Sequence, residues 1–195
     1  MMFYNVAKCI VRSIVRILFK VEINGLENIP NQGACILSLN HTSLLDPPVI
    51  AVLVTRRLAF MAKEELFRIP VFGFIIRTLG AFPVKRGVGD ISAIKTSLNI
   101  LSEGKVLAIF PEGRRVGKGQ TSYAKPGVAL IATKAKVPVI PVGISGGYKL
   151  FHKLSINIGT PIIFDQYYDK KLKTEELQHI SNLIMERIKQ LAEVN

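Results

Sequence analysis

Short apolar runs alternate with helix-length segments along most of the chain, and this pattern constrains the fold more than any other feature. The runs of strand length lie at 21–24, 34–39, 58–62, 81–84, 106–110, 137–144 and 154–158. Strands that alternate with helices favour a mostly parallel sheet that carries helices on both faces. The sequence therefore predicts an α/β fold with a mostly parallel central sheet flanked by helices.

The first 20 residues are apolar but carry a basic side chain at every fourth position, at Lys8, Arg12, Arg16 and Lys20. This density of charge argues against a membrane-spanning helix, and no basic region or small-residue cleavage pattern indicates a secretory signal. We predict that 1–20 is an amphipathic helix lying in the headgroup layer of an anionic membrane surface. The alternative is an ordinary amphipathic helix packed on the domain.

Composition supports one domain with an anionic partner. The chain has 195 residues, 49% of them hydrophobic, and a net charge of +12. Its mean hydropathy is +0.32. A chain that is both apolar and basic favours an anionic membrane surface or acidic ligands. Nucleic acid is not predicted as a partner, because neither a zinc-finger spacing nor an aromatic RNA-binding signature is present. Cys9 and Cys35 lie in apolar segments and are predicted to be buried, in a reducing compartment.

Three polar clusters follow three of the predicted strands. Because the carboxyl ends of parallel strands meet at one edge of a sheet, where ligands bind, we expect these clusters to converge. They are His41 with Asp46 after 34–39, Lys85 with Arg86 after 81–84, and 112–115 after 106–110. Their convergence is the main physical reason to expect an active site.

His41 and Asp46 lie on a predicted strand-to-helix turn. A carboxylate on one imidazole nitrogen fixes the tautomer and makes the other nitrogen a better base, able to take a proton from a substrate hydroxyl. The arrangement is that of a serine-protease triad without its serine. A plainer interpretation is that His41 is solvated and that Asp46, which precedes Pro47, caps the helix.

The second and third clusters supply guanidinium groups, which suit bidentate binding of phosphate. Gly87 beside Arg86, and Gly113 in the third cluster, are expected to leave room for a ligand to approach. Glu112 is expected to accept a hydrogen bond from a hydroxyl or to hold an arginine in place. Together these residues predict an anion-binding wall opposite the candidate base.

Four sequence blocks, in this order, resemble the glycerophospholipid acyltransferase family, especially the 1-acyl-glycerol-3-phosphate acyltransferases. The blocks are 40–46 with its His-x4-Asp pattern, 80–86, 110–115 and 137–142. The likeness covers 21–160, and we therefore interpret 21–195 as an acyltransferase domain. Arg114 stands where the family usually has threonine, and Val116 where it often has serine. These departures concern the head-group preference more than the reaction.

The resemblance implies that His41, oriented by Asp46, deprotonates the free sn-2 hydroxyl of lysophosphatidic acid, which then attacks an acyl thioester to give phosphatidic acid. Arg86 and Arg115 would bind the phosphate. The donor would be acyl-CoA or acyl-carrier protein, acting as a co-substrate, and neither a bound cofactor nor a metal is predicted. The remaining residues implied in substrate contact are Asn40, Phe110, Pro111, Glu112 and Gly113.

Three alternatives remain open at this stage. In the first, the acceptor is another lysolipid or glycerol 3-phosphate instead of lysophosphatidic acid. In the second, Ser43 forms a covalent acyl-enzyme. In the third, the protein is a non-catalytic module that binds anionic lipid. The intact pair of His41 and Asp46 favours catalysis, because binding alone does not require it. A basic, apolar first helix and a lipid substrate together predict a peripheral or monotopic protein on the cytoplasmic face of the cell membrane.

Overall fold

The computed structural model describes residues 2–84, 91–117 and 123–194, with side chains from residue 8 onward within these ranges. The helices are α1 (Met2–Leu18), α2 (Asp46–Leu53), α3 (Pro70–Thr78), α4 (Ile91–Ser102), α5 (Gly127–Ala135) and α6 (Thr174–Glu193). The strands are β1 (Lys20–Asn24), β2 (Cys35–Leu39), β3 (Leu58–Lys63), β4 (Ala81–Val84), β5 (Val106–Ile109), β6 (Val139–Ser145) and β7 (Lys153–Ile158). Each of the predicted strands is present.

The described strands form one seven-stranded sheet in the order β1-β7-β6-β2-β5-β3-β4. Every neighbouring pair is parallel except β6 with β7, which is antiparallel. The predicted α/β fold with a mostly parallel sheet is therefore confirmed. Strands β2 to β6 all run in one direction, so their carboxyl ends share one edge of the sheet, which we call the carboxyl edge. Strands β1 and β7 run the opposite way and begin at that edge.

Successive side chains of a strand point to opposite faces of the sheet and pack in two apolar layers, as expected for a pleated sheet. On β2, Cys35, Leu37 and Leu39 pack in the layer that α1 and α2 complete. Ile36 points the other way, into the layer formed with α4, α5 and α6. All four side chains are fully buried. Because helices cover both faces, the central strands read as continuous apolar runs rather than as alternating ones.

The last helix, α6, completely buries its apolar stripe of Ile180, Ile184 and Ile188. Threonine is a common residue at the cap position, but Thr174 does not cap this helix. Thr174 is the first helical residue, and the Glu176 carboxylate accepts from the Lys173 amide at 2.8 Å. The Glu176 side chain therefore caps the helix by accepting from the amide of the residue before it, which satisfies one free amide.

The first helix, α1, packs on α2 and continues directly into β1. Lys8 Nζ donates to the Val54 carbonyl at 2.6 Å, and Arg12 Nε donates to the Val52 carbonyl at 2.7 Å. Burial, followed by the charge of Arg12, lowers the pKa of Lys8. Lys8 and Arg12 thus pack α1 on the domain, as in the alternative interpretation of this segment, because the carbonyls at the end of α2 attract cations inward. The membrane-surface role of the helix stays a prediction.

The outer side of α1 carries large apolar side chains beside the exposed Arg16. Ile10, Ile14 and Ile17 are 55%, 48% and 70% exposed, on the side opposite the buried Val15. Cys9 is exposed on the same outer side, so its predicted burial is wrong, whereas Cys35 is buried as expected. Within the described residues, no helix combines the length and the apolar character that crossing a bilayer requires.

Candidate active site

The carboxyl end of β2 delivers two polar residues, Asn40 and His41, to the carboxyl edge. Asn40 extends the pairing of β2 with β6: its Nδ2 donates to the Ile144 carbonyl at 2.9 Å, and its Oδ1 accepts from the Ile144 amide at 2.7 Å. Asn40 was predicted among the substrate contacts, but the structure directs its amide group into the sheet. Its position fixes the direction in which the chain leaves β2.

His41 and Asp46 are in contact, as predicted from the turn between β2 and α2. His41 Nδ1 lies 2.9 Å from Asp46 Oδ2, and the same oxygen accepts from the amides of Thr42 at 2.8 Å and Ser43 at 2.7 Å. Asp46 is fully buried and His41 is 7% exposed. The carboxylate thus binds groups that precede α2, and His41 is shielded from solvent, which removes the plainer interpretation of a helix cap beside a solvated histidine. A carboxylate at Nδ1 favours the tautomer with Nε2 as the base.

Tyr148 completes the environment of the carboxylate, and sequence reasoning missed it. Its hydroxyl donates to Asp46 Oδ1 at 2.7 Å from the loop that follows β6. Burial, followed by the negative charge of Asp46, raises the pKa of Tyr148, so the phenol stays protonated. The available signal was topological: the strand predicted at 137–144 ends at the same edge as the strand before His41.

The segment after β5 wraps around His41. The Phe110 ring lies 4.2 Å from the imidazole, centroid to centroid, at an interplanar angle of 31°. Glu112 Oε2 accepts from the His41 amide at 2.8 Å, and the Val116 amide donates to the His41 carbonyl at 2.8 Å. Glu112 is 5% exposed. The first and third predicted clusters are therefore in direct contact, and Glu112 positions the backbone of the candidate base.

Gly113 turns the chain in the left-handed region, at φ +66°. The sequence suggests that it leaves room for a ligand, but the space beside it is taken by Lys125. A Cβ at Gly113 would lie 3.0–3.1 Å from the Cδ, Cε and Nζ atoms of Lys125. The Lys125 amide donates to the Pro111 carbonyl at 2.8 Å, which holds this lysine against the turn. A cation that the family blocks do not include thus joins the third cluster.

The predicted phosphate-binding arginines divide between described and undescribed parts of the chain. Arg115 and its neighbour Arg114 are exposed beside the buried Glu112. Lys85, Arg86 and Gly87 lie outside the described residues, although β4 ends at Val84 on the carboxyl edge. Ser43 accepts from the Leu45 amide at 3.2 Å through its hydroxyl oxygen. No cluster of three metal-ligating side chains occurs within the described ranges.

Comparison with known proteins gives consistent matches across this region. A family model described as Acyltransferase matches residues 20–145. The 1-acyl-sn-glycerol-3-phosphate acyltransferase of Streptococcus pneumoniae is 33% identical over 204 residues, covering 98% of this chain and 74% of the relative. The Bacillus subtilis protein of the same name is 30% identical over 177 residues, covering 88% of this chain and 87% of the relative. The crystal structure of the 1-acyl-sn-glycerophosphate (LPA) acyltransferase PlsC from Thermotoga maritima matches with a TM-score of 0.69 at 30% identity, over 89% of this chain and 72% of that one.

Proposed function

The chain belongs to the Acyltransferase family, and on that premise we propose that it transfers a fatty acyl group to the free sn-2 hydroxyl of lysophosphatidic acid, giving phosphatidic acid. The observation that carries the proposal is the 2.9 Å contact of His41 Nδ1 with Asp46, at the carboxyl edge of the sheet. A pair of this kind activates a hydroxyl, and the curated relatives are named for acyl transfer to one.

The reaction proceeds by direct transfer. Nε2 of His41 takes the proton of the acceptor hydroxyl while the hydroxyl oxygen attacks the thioester carbonyl. The new ester bond forms as the carbon–sulfur bond breaks, and the imidazolium returns its proton to the departing thiolate. Asp46 stabilises the imidazolium between these steps. A positioned general base of this type typically contributes about 10²–10⁴ in rate.

Arginine side chains hold the acceptor in this proposal. Arg115 presents a guanidinium next to the turn that binds the His41 backbone, and Arg86 is its predicted partner outside the described residues. A guanidinium pairs with phosphate through two parallel hydrogen bonds. The donor is acyl-CoA or acyl-carrier protein, both of which are anionic and suit a chain of net charge +12.

The protein acts at a membrane surface, on the cytoplasmic face, as a peripheral or monotopic protein. Support comes from the exposed isoleucines of α1 and from two leucines on the turn that carries the dyad, Leu44 at 62% and Leu45 at 43% exposure. Apolar side chains beside the base suit an acceptor that is itself a membrane lipid. Free cysteines are the usual state in a reducing compartment such as the cytoplasm.

His41→Ala tests the proposal. The purified full chain is offered lysophosphatidate, other lysolipids and glycerol 3-phosphate in mixed vesicles, with labelled acyl-CoA or acyl-carrier protein. We expect the wild type to acylate lysophosphatidate and His41→Ala to lose at least roughly a hundredfold in kcat, because the general base is gone. His179→Ala is the matched control, since His179 is an exposed histidine of α6 and is not among the residues predicted for the site.

A folded His41→Ala protein that keeps the wild-type rate would overturn the mechanism. Acylation of glycerol 3-phosphate alone would reassign the acceptor, and an acyl group trapped on Ser43 would replace direct transfer by a covalent route. If the wild type binds anionic vesicles but transfers no acyl group to any acceptor, the protein is the non-catalytic lipid-binding module instead.

A further inference from the structure

The Asp46 carboxylate is held through both of its oxygens. Oδ2 takes His41 Nδ1 and the amides of Thr42 and Ser43, all of which lie within five residues of Asp46. Oδ1 takes the hydroxyl of Tyr148, which is 102 residues away in the sequence. The local turn therefore fixes one oxygen, whereas the rotation of the carboxylate plane depends on a distant side chain.

Tyr148 is itself held by the end of α1. Its ring meets the buried Phe19 edge to face, with centroids 5.6 Å apart. The loop that carries Tyr148 is joined to the same point: the Phe151 amide donates to the Leu18 carbonyl at 2.7 Å, and the Lys20 amide donates to the His152 carbonyl at 3.0 Å. A chain of contacts thus runs from α1 through Phe19 and Tyr148 to the carboxylate.

We propose that Tyr148 is a positioning residue for the dyad: it holds Asp46 Oδ1 so that Oδ2 stays aligned with His41, and Phe19 at the end of α1 holds Tyr148 in place. This inference rests on the proposed function. A phenol that stays protonated serves as a constant donor and takes no part in the proton transfer itself.

Charged and titratable groups face the dyad region from several described elements, and the segment after β5 contributes Arg114, Arg115 and, at the Gly113 turn, Lys125. Tyr148 faces the carboxylate from the loop after β6, and Glu112 faces the His41 amide from the segment after β5. The cations Lys8 and Arg12 of α1 reach the other end of α2. Loss of the Tyr148 hydroxyl therefore concentrates the negative charge of Asp46 on its contact with His41, which then holds a proton more tightly.

Tyr148→Phe is the first test, because it removes one oxygen and keeps the ring on Phe19. We expect kcat to fall roughly three- to tenfold, which is part of the value of one hydrogen bond to a charged group, with KM for lysophosphatidate in vesicles unchanged. The acid limb of the kcat/KM profile should move to higher pH by about half a unit. Tyr168→Phe is the control, since Tyr168 packs in the other apolar layer, with α6, and should leave both quantities unchanged.

Phe19→Leu tests the link to α1. In the wild-type background it should move the acid limb in the same direction as Tyr148→Phe, and in the Tyr148→Phe background it should move the limb no further. Full additivity of the two shifts would refute the link through Tyr148. An acid limb that stays at its wild-type position in folded Tyr148→Phe would overturn the positioning role, because a merely structural tyrosine lowers activity without changing the protonation of the base.

The imidazole titration of His41, followed by NMR on the full chain in detergent, separates this inference from the proposed function. This measurement reports the protonation of His41 beside Asp46 and does not require the enzyme to turn over. If the wild type fails to acylate lysophosphatidate while Tyr148→Phe still shifts the His41 titration upward, the reaction is wrong and the positioning is right. If the wild type is active and the titration does not move, the positioning is wrong.

Discussion

His41 keeps one ring nitrogen for chemistry because its other polar atoms are bonded elsewhere. Its amide donates to Glu112, its carbonyl accepts from Val116, and Nδ1 contacts Asp46. The partners come from the segment after β5 and from the start of α2, so two parts of the carboxyl edge clamp one residue. A base held in this way loses little further freedom when a substrate binds, which favours a reactive geometry.

Gly113→Ala is expected to lower the free energy of unfolding by about 1–2 kcal/mol, because an L side chain is strained in the left-handed region. The added methyl group would also displace Lys125 from the turn. Urea unfolding measures the first effect and steady-state kinetics the second, as a rise in KM for the acceptor or the donor.

Gly104→Ala is the matched control for this substitution. Gly104 has a similar φ of +72°, but nothing lies within 4 Å of the added carbon. Both variants should lose similar stability, and only Gly113→Ala should change the kinetics. Identical kinetic constants in the two variants would show that the position of Lys125 does not matter to the site.

The site residues divide by how far apart their partners lie in the sequence. His41 and Asp46 meet within one turn, so a local pattern was sufficient to predict their contact. Tyr148 contacts Asp46 although the two residues are 102 positions apart, and Lys125 lies against Gly113 from a later part of the chain. Local patterns do not record such contacts, because many polar residues follow strands and only the packed fold selects one of them.

At the scale of elements, the strands were predictable, but the opposite direction of β1 and β7 was not predicted. Buried strands read as apolar runs whichever way they point, so all seven were found while the antiparallel pairing of β6 with β7 was not. The connection between them spans only 146–152. A parallel crossover needs a dozen or more residues, so its length was an available signal.

The basic stripe of α1 is likewise compatible with two arrangements. Cations at every fourth position fit lipid headgroups or the carbonyl end of a neighbouring helix equally well. Only packing separates them: Arg12 donates to the Val52 and Leu53 carbonyls of α2, whereas Arg16 is exposed. One helix thus uses its cations for two purposes, and the two purposes are open to separate measurement.

Arg12→Ala should lower the free energy of unfolding by about 1–2 kcal/mol, because it removes a charged donor from the carbonyl end of α2. Arg16→Ala is the matched control, since it removes the same side chain from the exposed side of the same helix at equal helix propensity. It should leave urea unfolding unchanged and weaken flotation with anionic vesicles by about 1 kcal/mol. The reverse assignment of the two losses would mean that α1 is docked on the domain the other way round.

At the scale of the whole molecule, two of the described helices each carry a group of exposed apolar side chains. Ile10, Ile14 and Ile17 project from α1, and α3 with its preceding residue exposes a second set. That set comprises Ile69, Val71, Phe72, Phe74 and Ile75. The end of α1 meets the dyad through Phe19 and Tyr148, and the buried Leu79 after α3 packs in the same apolar layer as α1 and α2. Both helices also adjoin the carboxyl edge, because β1 begins there directly after α1 and β3 ends there before α3. Membrane contact by these helices would therefore bring the bilayer to the edge that carries the dyad.

Ile17→Glu and Phe74→Glu test this orientation, with Leu183→Glu as the control because Leu183 is an exposed apolar residue of α6. Burial of one large apolar side chain contributes about 1.5–3 kcal/mol, so each of the first two substitutions should weaken vesicle binding by roughly tenfold or more. KM for lysophosphatidate in vesicles should rise in parallel, while turnover of a short-chain, water-soluble acceptor should not change. Equal losses of vesicle binding from all three variants would mean that attachment is a general property of the surface, and the proposed alignment of α1 and α3 with the bilayer would then be wrong.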